Sequence, residues 1–407
     1  MGVLIFLLTY VGVAVGRFPR LAIDRTGIAL LGAIAMVVGG VLTADKAFAA
    51  IHVPTLLLLY GLMIVSAQLR LGGFYTRLAR DLTTWLDRPA FFLFLLMTVS
   101  GGLAAILAND IICLAFTPVL CVSLRRRGLN PIPFLLGLAM GTNLGSASTI
   151  IGNPQSMLIG QLAQLDFKRF FFWCAPPSFA ALLATWGLLL WLYRGQLRLP
   201  VESPPGSESA DGRWPPYNRR QTIKGLIAVT VVIGLLLTRF PREWSVLAVA
   251  GVLLLSRQMH TRSILGLVDW HLITLFASLF IVVRGLNASG WPERIVGHLE
   301  SSGLAWHHPI PLSFVTVVLS NVVSNVPATV LLCHHLPLGD PIRWYVLSVS
   351  ATFSGNLLPI GSIANLIVIE QAFPFGVSIS LREYARSGIP ITLVNLAILI
   401  LWILIRS

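Results

Sequence analysis

The stretch "ILANDIICLAFTP", residues 106–118, sets Asn109 and Asp110 side by side within an apolar run. A carboxylate at the centre of a bilayer costs about 2.5–3.5 kcal/mol even on lenient insertion scales, so a plain spanning helix avoids one. The second half of the chain holds a related stretch, "VVSNVPATVLL", residues 322–332, in which Asn325 takes the place of Asn109 and no acid follows. Each stretch carries a proline, Pro118 or Pro327, which removes a backbone donor. Broken backbone is tolerated at membrane depth only where protein, water or a ligand satisfies it. Residues 91–124 and 309–337 therefore read as two re-entrant hairpins.

Working outward, 56% of the 407 residues are hydrophobic and only 11% are charged, against roughly 25% charged in soluble domains. Continuous apolar runs of spanning length lie at 3–16, 27–43, 53–69 and 171–193, and again at 222–238, 243–256, 269–287 and 387–405. Segments 131–160 and 342–371 are apolar but interrupted by Gly, Pro, Ser and Asn, as broken helices are. Continuous runs also argue against a membrane β-barrel, whose strands alternate. The opening "MGVLIFLLTYVGVAVGRFPR" lacks a basic start and a small-residue cleavage site, so it reads as a retained first helix. Four cysteines without CxxC spacing exclude a zinc site or a disulfide framework.

The two halves resemble each other. "LMIVSAQLRLGGFYTRLARDL", residues 62–82, aligns with "LFIVVRGLNASGWPERIVGHL", residues 279–299, at a shift of 217. Gly73 and Phe74 then fall on Gly290 and Trp291, and Arg77 falls on Arg294. Further on, Ile151-Gly152 matches Ile360-Gly361. Duplication on this scale marks a secondary transporter. The expected organisation is a first repeat with its leading helix over 1–193, a polar cytoplasmic linker over 194–221, and a second, inverted repeat over 222–407.

Charge sets the orientation. With both hairpins re-entrant, loops 17–26, 70–90, 125–130, 194–221, 257–268 and 372–386 share one side and hold 19 of the 29 Lys and Arg residues. That side is cytoplasmic by the positive-inside rule, which also accounts for the net charge of +13 without nucleic acid. The hairpins then enter from opposite sides, and the repeats are inverted. The fold class expected is an all-α polytopic membrane protein with two inverted repeats, each with a re-entrant helical hairpin and a broken transmembrane helix.

Polar residues cluster where an unbroken helix would carry leucine. They occupy the first hairpin, "GTNLGSASTIIGNPQSMLIG" (141–160), "LSNVVSNVPATVLL" (319–332) and "SGNLLPIGSIANLIV" (354–368). Inward-pointing half-helix N-termini suit an anion or a polar neutral solute, whereas carbonyls and amides at the same breaks suit a cation. Close helix packing is the bland alternative for any single Gly, Ser or Thr. Asp110 is the one acid placed deep in the membrane, and proton or ion coupling, substrate contact and a structural hydrogen bond are its three readings. Arg284 either snorkels to the outer interface or lends positive potential to the pathway. His271, His334 and His335 read as helix-end residues. No HExxH, GxSxG or paired carboxylates lies at membrane depth, so an enzyme is not expected.

At these motifs the chain resembles the ion transporter superfamily, which includes arsenite efflux permeases, Na⁺/H⁺ antiporters and divalent-anion/Na⁺ symporters. "LANDIICLAFTPVL" is similar to the arsenite permease signature in which Ala-Asn-Asp precedes Thr-Pro. "VLSNVVSNVPATVLL" resembles its second-repeat Asn-x-Pro-Thr segment, with Ala328 inserted before Thr329. "LLPIGSIANLIVI" resembles its Thr-Pro-Ile-Gly-Ser-Leu-Ala-Thr element, with Leu358 and Asn365 replacing the threonines. "GTNLGSASTIIGNPQSMLIG" is closer to the broader anion-permease branch, and the Ser-Asn-Thr signatures of dicarboxylate symporters are absent. The resemblance implies one central site and coupling to an ion gradient, with no cofactor and no resident metal.

On this reading the chain is a prokaryotic inner-membrane exporter of arsenite or antimonite coupled to proton entry. The alternative is a Na⁺-coupled carrier of an inorganic or carboxylate anion, or a Na⁺/H⁺ antiporter. Asp110 is the expected coupling residue. Asn109, Asn143, Ser148, Thr149, Asn325, Thr329, Asn356 and Ser362 are expected around the substrate. Cys113 and Cys333, in similar places on the hairpin arms, are either thiol contacts for arsenic or packing residues. The expected partners are the lipid bilayer, the small solute and a proton or sodium ion. An ATPase subunit and a second copy of the chain are partners the family allows.

Overall fold

The computed structural model describes residues 1–15, 23–107, 109–197, 216–256, 258–291, 294 and 306–406. In the first half the helices are α1 (Gly2–Val15), α2 (Arg25–Val38), α3 (Ala44–Ala50), α4 (Val53–Leu71), α5 (Phe74–Leu82), α6 (Pro89–Ala104), α7 (Asn109–Arg126), α8 (Pro131–Ser146), α9 (Pro154–Leu162) and α10 (Phe167–Leu192). The second half runs α11 (Arg219–Leu236), α12 (Arg242–Leu254), α13 (Thr261–Leu265), α14 (Trp270–Asn287), α15 (Pro309–Val323), α16 (Asn325–Cys333), α17 (Pro341–Ser354), α18 (Ile363–Ala372) and α19 (Leu381–Arg406). The fold is all-α among the described residues, and the second half repeats the element order of the first except for α5, whose counterpart stretch lies mostly outside the described residues. Most of the expected linker, 198–215, lies outside the described residues, and α11 begins at Arg219, within the linker's expected end.

Local chemistry sets the helix starts. Asn130, Asn153 and Asp340 each accept a hydrogen bond from a first-turn N–H, and each is followed by a proline at the first helical position. Two spanning helices start earlier than hydropathy alone indicates, at Phe167 and Leu381, because their first turns carry charged residues (Lys168 and Arg169, Arg382 and Glu383) that end a hydrophobic run without ending a helix. Helices α3, α5 and α13 fall in stretches that hydropathy leaves as loops. The long helices α4, α10, α14 and α19 have the length and composition to cross a bilayer.

Packing relates the halves by exchange. Helices α1, α2 and α3 lie on α14 of the second half, while α11, α12 and α13 lie on α4 of the first. Helix α6 packs on α8 and α15 on α17, and α10 meets α19 between the halves. Within the first half, α8 approaches the hairpin so closely that a Cβ on Gly145 would strike the Gly101 carbonyl. Large apolar side chains such as Leu8, Val38, Val252 and Leu401 stay exposed on the outside, where a soluble protein would carry charge.

The hairpins are re-entrant in form. At the base of the first, Arg127 Nη1 lies 2.8 Å from Asp87 Oδ1, so α6 and α7 begin and end together. At its tip, Leu107 and Asn109 are buried in the interior. The second hairpin turns at Ser324, with φ 78° and ψ 159°. A serine held in that glycine-only region carries about 1–3 kcal/mol of strain. Cross-element bonds respect the two sides inferred from charge. Arg125 donates to the Gly376 carbonyl, Gln68 to Gln221, and Gln221 to Gln258 on one face. Arg242 donates to the Gly160 and Leu165 carbonyls on the other.

Candidate functional site

The two hairpin tips and the two helix breaks meet around one cavity of about 30 Å³. Its lining comes from Asn109 and Asp110, Asn153 to Gln155, Ser324 to Val326, and Gly361 to Ile363. Each group is the start of a helix: α7, α9, α16 and α18 all aim their N-termini at this point. Each N-terminus carries roughly half a positive charge and unpaired N–H groups. Asn153 caps α9 through Ser156 N at 2.8 Å, whereas neither Ser324 nor Ser362 caps its own helix. Two of the four helix starts thus keep N–H groups without a side-chain cap beside the cavity.

Among the described residues Asp110, in the first turn of α7, is the only charged side chain in the lining. Its carboxylate has no hydrogen-bond or ion-pair partner among them, which leaves its oxygens to a solute, water or a proton. No described Lys, Arg or His lines the cavity, so the positive potential of its described lining comes from backbone.

Behind the cavity an amide network ties the halves together. Asn143 Nδ2 donates to Asn356 Oδ1 at 2.8 Å and to Asn365 Oδ1 at 3.1 Å. Asn143 Oδ1 accepts from Ser362 Oγ at 2.9 Å and from Asn109 Nδ2 at 3.3 Å. Asn365 Nδ2 donates on to the Gly355 carbonyl at 2.6 Å, satisfying backbone freed by the break. Asn153 Nδ2 reaches Thr352 Oγ1 at 3.2 Å, and the Ser156 and Ser348 hydroxyls meet at 2.7 Å. Ser354 Oγ donates to Asn325 Oδ1 at 3.3 Å, and Tyr10 reaches the Pro327 carbonyl at 3.1 Å.

Among the residues expected at the site, Asn109, Asp110, Asn325 and Ser362 line the cavity, and Asn143 and Asn356 stand directly behind it. Ser148 and Thr149 line a separate, mostly apolar cavity of about 580 Å³ on the flank of the first hairpin, where Thr149 donates to the Ala105 carbonyl. Thr329 is fully buried along α16, outside the lining. Cys113 meets Thr142 Oγ1 at 3.3 Å, and neither it nor Cys333 lines the cavity. Asn153, Gln155, Ser324 and Asn365 are not among the residues expected at the site from sequence. For Asn153 a signal is present, since Asn followed by Pro marks a helix start.

A vestibule of about 450 Å³ shares Ser324, Val326 and Ile363 with the central cavity. It runs past Ile360 and Leu366 to Asp24, Arg25, Thr26 and Glu370. Residues 24–26 and the C-terminal end of α18 belong to the arginine-rich face.

Duplicated halves, facing hairpins and broken helices around one polar cavity define a multi-pass membrane transporter. The chain belongs to the CitMHS family, described as citrate transporters, whose profile matches residues 7–338. It is 28% identical to the silicon efflux transporter LSI3 of rice, Oryza sativa subsp. japonica, over 93% of this chain and 92% of that protein. It is 23% identical to a Dictyostelium discoideum protein that carries the name arsB, over 93% of this chain and 87% of that one. Among solved structures it shares its fold with Neisseria gonorrhoeae MtrF, with a TM-score of 0.58 at 14% identity, covering 98% of this chain and 93% of that one.

Proposed function

We propose that the chain exports a small uncharged polyhydroxide, arsenite or antimonite, across a bacterial inner membrane in exchange for protons. The observation that carries this reading is the pairing of one partner-free carboxylate, Asp110, with uncapped helix N-termini in a cavity without basic side chains. Trivalent arsenic in water near neutral pH is a trihydroxide, which offers O–H donors and oxygen acceptors together. Its hydroxyls donate to the Asp110 carboxylate while its oxygens accept from the helix-start N–H groups of α16 and α18. A proton on Asp110 removes its charge and turns one acceptor oxygen into a donor, which loosens the solute. Solute and proton thus compete for one group, and that competition is the elementary requirement for exchange. The vestibule on the arginine-rich face fits loading from the cytoplasm.

A Na⁺-coupled carrier of an inorganic or carboxylate anion is the second reading, favoured by the four converging N-termini and by the family's description. A cavity of about 30 Å³, room for roughly two waters, favours a solute of a few heavy atoms over a tricarboxylate.

Uptake into everted vesicles separates the two. Arsenite, citrate and sulfate are offered under separately imposed proton and sodium gradients. Arsenite accumulation under a proton gradient, abolished by an uncoupler, is the expected result. Sodium-driven citrate or sulfate flux without arsenite uptake overturns the proposal.

A further inference from the structure

On the face opposite the arginine-rich one, a cavity of about 340 Å³ is lined by Lys46, Ala49, Ala50, Phe280, Arg284 and His334. Its three basic residues come from three elements: Lys46 from α3, Arg284 from the last turn of α14, and His334 from the C-cap of α16. Among the described residues the lining contains no Asp or Glu. Among the described residues neither the Lys46 ammonium nor the Arg284 guanidinium has a hydrogen-bond or ion-pair partner. Cations near helix C-termini ordinarily offset the local dipole, but the three termini here carry only about −0.5 charge each. Lys46 and Arg284 alone exceed that sum, before His334 is counted.

The histidine is oriented as well. Its Nδ1 lies 2.9 Å from the Val330 carbonyl, which only accepts, so Nδ1 carries a hydrogen and Nε2 is the ring nitrogen left for another partner. Phe280 forms an apolar wall and stacks, tilted, near His52 at 6.4 Å between ring centroids. On α3, Phe48 stands 74% exposed, an apolar side chain on the same short helix as Lys46. The repeat offers an internal comparison. At the shift of 217, Arg284 corresponds to Ala67, which is wholly buried, so duplication alone does not require a guanidinium here.

We propose that this cavity, separate from the central one, is a non-transporting anion site that takes a phosphate group, held by Lys46 and Arg284 and completed by His334. The group has two sources, the headgroup of an anionic phospholipid in the outer leaflet and free inorganic phosphate. Apolar residues beside the charges suit a headgroup whose chains lie along α3 and α14. Bound there, the phosphate bridges α3 of the first half to α14 and the second hairpin, which gives it a stabilising role distinct from the central cavity.

The test uses the full chain in nanodiscs of phosphatidylcholine, with or without phosphatidylglycerol, and in detergent with inorganic phosphate. Native mass spectrometry counts retained lipid, and thermal unfolding reads stabilisation by either source. Wild type is expected to retain phosphatidylglycerol over phosphatidylcholine. Lys46→Gln with Arg284→Gln is expected to reduce retention at least roughly tenfold for each charge-assisted hydrogen bond removed. Arg284→Lys, which keeps the charge, should retain most of it and shows that the fold survives. Stabilisation by inorganic phosphate that the same pair of substitutions removes, without lipid selectivity, assigns the site to the free anion. Equal retention and equal stability in wild type and the double variant, under both conditions, overturn the proposal.

Discussion

Asn143 Nδ2 donates to Asn356 Oδ1 at 2.8 Å, and this bond passes from the broken helix of one half to that of the other. Both donors and both acceptor positions of the Asn143 amide are occupied by protein, by Asn356, Asn365, Ser362 and Asn109. The side chain is therefore committed to holding the site together, and the solute meets its neighbours first.

Asn143→Ala leaves several buried amide and hydroxyl groups without a partner, each costing about 1–3 kcal/mol. The thermal midpoint of the purified protein should fall by roughly 5 °C or more, with solute affinity reduced in parallel. A midpoint equal to wild type would show that water replaces the amide at no cost in stability.

Asp110→Asn keeps the shape of the side chain and removes its titration. Gradient-driven uptake should drop at least roughly tenfold, the worth of one charge-assisted hydrogen bond, and the residual flux should no longer follow the proton gradient. Asp110→Glu should restore part of the coupling. Unaltered pH dependence in Asp110→Asn would remove the residue from the coupling step.

At Ser324 the backbone sits at φ 78° and ψ 159°, where glycine rests without strain. Ser324→Gly is expected to raise the thermal midpoint by releasing part of about 1–3 kcal/mol, and Ser324→Val to lower it. Transport by the glycine variant should slow, because the tip loses its fixed turn. If both variants match wild type in stability, the turn is not strained.

The ion pair of Asp87 with Arg127 at 2.8 Å predicts that both positions face the same side of the membrane. Singly introduced, Asp87→Cys and Arg127→Cys should react with an impermeant thiol reagent from the same side of the membrane. Labelling from opposite sides would mean that the segment crosses an odd number of times and is no hairpin.

Ile360→Cys and Leu366→Cys report on the vestibule. All four native cysteines are buried, so background labelling is low. Both new thiols should react in everted vesicles and be protected by the transported solute. Reaction only in right-side-out vesicles would reverse the assigned direction of access.

The hairpins, the breaks and the lone acid are legible in the sequence, because polar residues and prolines inside lipid-length runs have few physical explanations. Asn109, Asp110, Asn325 and Ser362 stand out for that reason. Ser148 and Thr149 have the same composition signal, yet they turn toward a different cavity. Spacing does not say which side of an irregular loop faces inward, and here the chain folds back so tightly that a Cβ on Gly152 would strike the Ser146 carbonyl. Asn365 shows in the sequence only as a departure from the motif, because in the first turn of α18 it looks like any polar helix residue, and its 2.6 Å bond to the Gly355 carbonyl reveals its task. The pairing of α2 with α14 and of α12 with α4 leaves no local trace, since the faces of all four helices are simply apolar.

That exchange of partners governs the order in which the protein can be made. Helix α2 has no native neighbour on its α14 side until more than half the chain has left the ribosome. The first half must wait in the bilayer with that surface covered only by lipid. A chain severed between Tyr193 and Asn218 should therefore yield two fragments that are each degraded when expressed alone and rescued when expressed together.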